Sequence, residues 1–210
     1  MEQQIPVKER IVNYAMERFS HDGFAKVTVD ELAANLGISK KTFYKCFANK
    51  EGLVDSIADR MMLFHATNVD RIIRSDLPFP QKLHGLMTYV GRLYGRVNGT
   101  LLRDMRRHAP ETWVKVSAFR REKIQVNIGR LITEGIEQGH IRKDANPRLF
   151  LITFLGAVEA VLNPDVLTVE PFSSEDALRM VLQILFQGIL TEDASKSLVS
   201  LQQQPPVPQS

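Results

Sequence analysis

Apolar side chains recur along this chain at three- and four-residue spacing, and no convincing two-residue alternation interrupts them, so the pattern predicts helices and no sheet. Ile11, Val12, Ala15, Met16 and Phe19 share one helical face, which predicts a helix over about 7–21 that stops at Asp22-Gly23. Thr28-Val29-Asp30-Glu31 is a capping-box pattern, in which the threonine oxygen accepts the Glu31 backbone N–H and the glutamate reaches back. It predicts a short helix over about 29–36. Gly37 supplies a permissive turn, Ser39 caps a third helix over about 40–47, and Asn49 caps a fourth. In that fourth segment Leu53, Val54, Ile57, Ala58, Met61, His65, Val69 and Ile72 hold one stripe for about six turns. It is long enough to link two modules.

Leu77-Pro78-Phe79-Pro80 breaks the stripe, and later segments read as helices over about 82–97, 100–108, 111–138, 147–163 and 175–191, bounded by Asn98-Gly99, Pro110, Gly139, Pro147, Asn163-Pro164 and Pro171. The expected fold is all-α with about nine helices. Its expected organisation is a three-helix head over 1–50, a helical body over 51–193 and a disordered tail over 194–210, where Gln202-Gln203-Gln204-Pro205-Pro206-Val207-Pro208 is polar and proline-rich.

Composition narrows the classes. The 210 residues are 44% hydrophobic and 24% charged, ordinary for a globular protein, and the single cysteine excludes a disulfide framework or a multi-cysteine zinc cluster. Met1 to Arg10 lacks the apolar core of a signal peptide, and no run approaches the roughly 20 apolar residues of a spanning helix. A cytoplasmic address and no membrane partner are expected. Five histidines without a close-spaced pair predict no metal site, and no cofactor motif is present. GxSxG, Walker, dinucleotide-binding and HExxH patterns are all absent, which argues against an enzyme.

The net charge of +3 hides a basic middle and an acidic end: residues 102–148 carry 11 basic and 6 acidic side chains, and residues 149–210 carry 2 and 7. More telling is the stretch from Leu32 to Lys50, which holds Lys40, Lys41, Lys45 and Lys50 and no carboxylate. That is a candidate footprint for a polyanion. Projected at about 100° per residue, the third helix puts Phe43 and Phe47 on one arc and Lys40, Lys41, Tyr44 and Lys45 on the opposite one. The apolar arc can pack on Leu32, Ala33, Leu36 and Ile38, which yields two short helices joined by a glycine turn, the helix-turn-helix arrangement. A helix so anchored suits the DNA major groove, with lysines neutralising phosphates and Ser39, Thr42 and Tyr44 offering hydroxyls. A merely solvated lysine face is the competing reading, weakened by the cap, the turn and the two phenylalanines.

The segment Thr28 to Phe47, followed by Asn49-Lys50-Glu51-Gly52-Leu53, resembles the signature of TetR/AcrR-type transcriptional regulators. The resemblance covers about residues 7–60. It implies an all-helical protein with an amino-terminal DNA-binding head and a divergent ligand-binding body, acting as a homodimer on double-stranded operator DNA. It further implies that Thr28 touches phosphate, that Lys41, Thr42 and Tyr44 meet bases or backbone, that Ser39, Lys40 and Lys45 flank them, and that Lys50 holds another phosphate. The family usually has tyrosine or histidine where this chain has Cys46, which removes one contact. A thiol beside lysines could sense oxidants, but it also fills a half-buried position as a small apolar residue.

Two late helices are apolar over wide arcs. By the resemblance they would form a four-helix dimer interface, with Phe154, Gly156, Val158 and Val161 from one and Leu178, Leu182, Leu185 and Ile189 from the other. An intramolecular core is the alternative, and it must claim some of these residues in any case. Met61, Phe64, His65, Met87, Tyr94, Met105 and Trp113, together with Tyr89, Phe119 and Ile128, are candidate linings for an unknown small-molecule effector, against the plainer reading that they are core. Arg103, Arg106 and Arg107 form a basic cluster that could meet an anion or stay solvated. The resulting expectation is a repressor released by a ligand. An activating or ligand-independent member of the same family, or a helical interaction module without DNA binding, stays open.

Overall fold

The computed structural model describes residues 5–94 and 99–203. Eleven helices occur among the described residues: α1 (Val7–Asp22), α2 (Val29–Leu36), α3 (Lys40–Cys46), α4 (Lys50–Ile73), α5 (Phe79–Tyr94), α6 (Gly99–His108), α7 (Pro110–Glu137), α8 (Pro147–Val161), α9 (Pro164–Leu167), α10 (Ser174–Gln187) and α11 (Glu192–Gln202). Extended pairing among them is limited to an isolated bridge between Ile141 and Leu190.

Two apolar cores divide the chain. Ile11, Val12, Ala15 and Phe19 of α1 meet Leu32, Phe43, Phe47 and the first turns of α4 in the head. The second core draws on α4, α5, α7, α8, α10 and α11 around Phe79, Leu83, Leu131, Ile132 and Phe186. α4 belongs to both: Leu53, Val54 and Ile57 are buried in the head, and Ile73 in the body.

Local chemistry sets the boundaries. Pro110, Pro147 and Pro164 each occupy the first turn of a helix, where the missing N–H costs nothing. The side chains of Asn146, Asn163 and Ser173 accept the free backbone N–H groups at the starts of α8, α9 and α10. α5 begins at Phe79, earlier than the proline-rich break suggested, because Pro80 is harmless in a first turn and the Pro78 carbonyl accepts from Lys82 N–H at 3.1 Å.

The carboxyl end differs from expectation. The chain does not leave the body at 194: Ala194 and Leu198, four residues apart, are buried and seat α11 on α5. Of its four apolar residues only Ala194 and Leu198 are buried, too short a stripe to reveal a helix whose stability comes from that docking. Residues 204–210 of the expected tail lie outside the described residues, as do residues 95–98, where α5 was expected to end.

The α7–α8 turn is clasped by the α10–α11 turn through Arg142 N–H to Ile189 C=O and Thr191 N–H to His140 C=O, both 2.9 Å. Beneath it, Phe79 stacks on His140 with centroids 5.3 Å apart. A Cβ on Gly135 would lie 2.7 Å from both Phe79 and Ile141. Lys82 crosses from α5 to Glu134 of α7 at 2.7 Å, and both side chains are largely buried. Gly135→Ala should therefore overpack this corner and lower unfolding free energy by about 1–3 kcal/mol despite alanine's better helix propensity, as read by urea denaturation.

Candidate nucleic-acid interface

The capping box forms. Thr28 Oγ1 accepts the Glu31 N–H at 3.2 Å, and the Thr28 N–H donates to Glu31 Oε2 at 2.7 Å. These backbone and hydroxyl hydrogen bonds from Thr28 hold the Glu31 carboxyl below its ordinary pKa. At the other end of α2, Gly37 adopts φ 65°, a left-handed backbone that turns the chain into α3. Ser39 Oγ then accepts the Thr42 N–H at 3.0 Å and shares a 2.9 Å hydrogen bond with the Thr42 hydroxyl.

α3 has an inner and an outer side. Phe43 is fully buried and Phe47 nearly so, with ring centroids 5.8 Å apart. Lys41, Tyr44 and Lys45 point to solvent, and Tyr44 rests edge-on against Phe43 at 5.5 Å. Among the described residues no carboxylate pairs with Lys41 or Lys45. Cys46 is half-buried and packs on the head core, as a small apolar filler would.

Two of the eight expected DNA-contacting residues stand differently. Lys40 forms a 2.8 Å ion pair with Asp30, whose hydrogen bond and charge raise the lysine pKa. The acid-free stretch is thus partly neutralised by a carboxylate from the preceding helix, although the pair is exposed and readily exchanged. Lys50 does not face outward: its Nζ lies 4.4 Å from the Phe24 ring centre and 5.9 Å from that of Phe19, and reaches the Ala25 carbonyl at 3.5 Å. Burial there lowers its pKa. It clamps the α1–α2 turn, a role that the linear sequence could not distinguish from a phosphate contact.

The head rests on the body through contacts that periodicity did not single out. Asp104 of α6 accepts the Ala25 N–H at 3.3 Å, His108 meets Phe24 edge-on, and Ala109 is buried in the head core. Lys115 of α7 binds both Asp55 and Asp59 of α4, and Thr112 donates to Asp55 at 3.2 Å. The four-residue spacing of Asp55 and Asp59 was the available signal.

The seven expected effector residues are not gathered at one place. Met87 and Tyr94 join the body core, and Met105 packs against the head core. Met61 and Phe64 are exposed, and Trp113 is half-buried at the start of α7. His65 shares a 2.6 Å hydrogen bond with Tyr89, and burial lowers the histidine pKa and raises that of the tyrosine. A groove between α4 and α7 is instead lined by Asp59, Met62, Leu63, Ala66, Lys115, Phe119 and Lys123, only Phe119 of which was expected. Of the basic cluster, Arg106 is paired with Asp165 at 2.6 Å.

The expected dimer residues are largely turned inward. Phe154, Val158, Leu178 and Leu182 are buried in the body core, and Val161, Leu185 and Ile189 pack against it, so these seven serve the single chain. Gly156 alone faces open space. The exposed apolar strip lies on the opposite face, with Leu149 and Ile152 (69% exposed) of α8 and Met180 and Ile184 (59% exposed) of α10. Helices apolar nearly all round do not disclose which face stays outside.

No helix among the described residues is long and apolar enough to cross a membrane. Residues 11–57 match the family described as bacterial regulatory proteins, tetR family. The uncharacterized HTH-type transcriptional regulator YvaF of Bacillus subtilis is 25% identical over 187 residues, covering 88% of this chain and 96% of that protein. Among solved structures, SmeT, the repressor of the Stenotrophomonas maltophilia multidrug efflux pump SmeDEF, superposes with a TM-score of 0.66 at 17% identity over 90% of this chain and 93% of that one. FadR from Bacillus subtilis in complex with stearoyl-CoA superposes with a TM-score of 0.62 at 19% identity, covering 86% and 98%. The capped helix-turn-helix with its outward basic helix agrees with the matching segment: residues 11–57 carry the amino-terminal domain of the tetR family of bacterial regulatory proteins, and the body shares the fold of these solved regulators.

Proposed function

We propose that this regulator is a repressor that occupies an operator as a homodimer and is released when a small molecule binds its body. The observation that carries the reading is α3 itself. Its inner side is fixed by Phe43 and Phe47, while Lys41, Tyr44 and Lys45 stand free on the outer side. Lys41 in its first turn and Tyr44 one turn further would meet base edges and phosphates, and Lys45 a flanking phosphate. Thr28, Ser39 and Thr42 contribute by ordering the helix starts, with their hydroxyls at the same surface. Lys50 acts by holding the α1–α2 turn in place.

Two copies are needed because two reading helices must enter successive major grooves about 34–36 Å apart. The strip formed by Leu149, Ile152 and Gly156 of α8 with Met180 and Ile184 of α10 supports pairing through these helices: two adjacent helices expose large aliphatic side chains on one side. Repression, rather than activation, is favoured by the fold shared with SmeT, which is a repressor, and ligand release by the fold shared with a FadR crystallised with stearoyl-CoA. The route for release is α4, which starts directly after the reading helix and ends in the body core. An effector that prefers a conformation with displaced heads weakens DNA binding by the same factor by which DNA weakens effector binding.

On duplexes selected from a random pool, the wild-type chain should protect a two-fold symmetric site. Lys41→Ala with Tyr44→Ala should weaken binding about 100-fold or more while the helical signal is unchanged. Retained binding would remove α3 from the reading role, and activation of a reporter carrying that site would overturn repression. In sedimentation, Ile152→Glu with Ile184→Glu should convert a micromolar dimer to a folded monomer. Leu182→Glu should instead unfold the body, because it buries a charge in a single-chain core.

A further inference from the structure

We propose that Asp30 is a specificity-determining residue of the reading face: by holding Lys40 it keeps that lysine out of the sequence-independent attraction for DNA phosphates. The inference rests on α3 as the reading helix, and adds an acid that opposes DNA binding in general and thereby sharpens the preference for one site.

The two carboxylates in the first turn of α2 have different duties. Glu31 is turned back into the capping box, where the Thr28 N–H donates to its Oε2 at 2.7 Å. Asp30 takes no part in that box, and its Oδ2 lies 2.8 Å from Lys40 Nζ at the start of α3. Both side chains are at the surface, 64% exposed for the acid and 61% for the lysine. Tyr44 follows Lys40 one turn later on the same side of α3. The pair therefore borders the side that carries Lys41, Tyr44 and Lys45.

An exposed ion pair adds little to the stability of a fold, so its consequence here is electrostatic. Sequence-independent affinity for DNA comes from cations that displace counterions from phosphates. A lysine already neutralised by a carboxylate gains no net charge by moving to a phosphate, because the move leaves Asp30 bare beside a polyanion. With the pair closed, α3 offers Lys41 and Lys45, which are exposed and have no carboxylate partner among the described residues. Base contacts fix the register of a regulator on its own site, where a spare lysine is used only if a phosphate lies within reach. On other sequences the chain is free to shift until that lysine finds one. Cancelling Lys40 thus weakens binding to other sequences more than binding to the site, and this ratio decides occupancy among many competing sites.

Salt titrations of the full-length chain test this on two duplexes, one of mixed sequence and one carrying the site selected from a random pool. On the mixed duplex, Lys40→Ala should leave the slope of log K against log salt unchanged in the wild-type background. In the Asp30→Asn background the same substitution should lower the magnitude of the slope by about 0.9 per chain. Asp30→Asn alone should raise it by about 0.9 and strengthen mixed-sequence binding about fivefold per chain at about 0.15 M salt, with a smaller gain on the selected duplex. These variants alter exposed side chains only, and an unchanged helical signal verifies that each is folded. Equal effects of Lys40→Ala in the two backgrounds would mean that Lys40 acts independently of Asp30, and would overturn the tie. Equal gains from Asp30→Asn on the two duplexes would overturn the specificity role. Lys41→Ala is the control for the reading helix: it should lower the slope by about 0.9, and no change there would remove α3 from the DNA and this proposal with it.

Discussion

A seven-residue helix has no stability of its own, and α3 persists because Phe43 is driven completely out of water against the head core. Full burial of such a side chain contributes about 1.5–3 kcal/mol, to which Phe47 and the Ser39 cap add. Everything on the outer side follows from that contact: with Phe43 and Phe47 inside, helical geometry leaves Lys41, Tyr44 and Lys45 outside. The caps at Ser39 and Thr28 and the left-handed Gly37 set where the helix begins and at what angle it leaves α2. The proposed reading surface and the structural anchor are therefore two sides of one element.

The head is also tied to the body. Asp104 of α6 on the Ala25 amide and Lys115 of α7 between Asp55 and Asp59 join the body helices to the α1–α2 turn and to the first half of α4. In the proposed release, such ties would turn a change in the spacing of α4 and α7 into a change in the pose of α3. Packed interfaces favour discrete arrangements over gradual deformation, which suits the proposed alternation between holding and leaving an operator.

Apart from α9 and α11, helix order and most boundaries were legible because each depends on neighbours in sequence: apolar spacing, caps, prolines and glycines. The amino-terminal motif was legible for the same reason, since the box at Thr28, the turn at Gly37 and the two faces of α3 are all encoded within 20 residues. What escaped depends on which of several faces meets a partner far along the chain. Leu182 and Ile184 look alike in the sequence, yet one is core and the other is surface. Lys45 and Lys50 are equally cationic, but only Lys50 finds Phe24 across the turn. α11 was missed because its two buried residues gain their value from docking on α5.

The central claim is that the outer side of α3 is the surface that DNA neutralises, and the salt dependence of binding to a mixed-sequence duplex tests it most directly. Each lysine that displaces counterions contributes about 0.9 to the magnitude of the slope of log K against log salt. The account predicts that Lys41→Ala with Lys45→Ala lowers that slope by about 1.8 per chain relative to wild type. An unchanged slope in a folded double variant would contradict it.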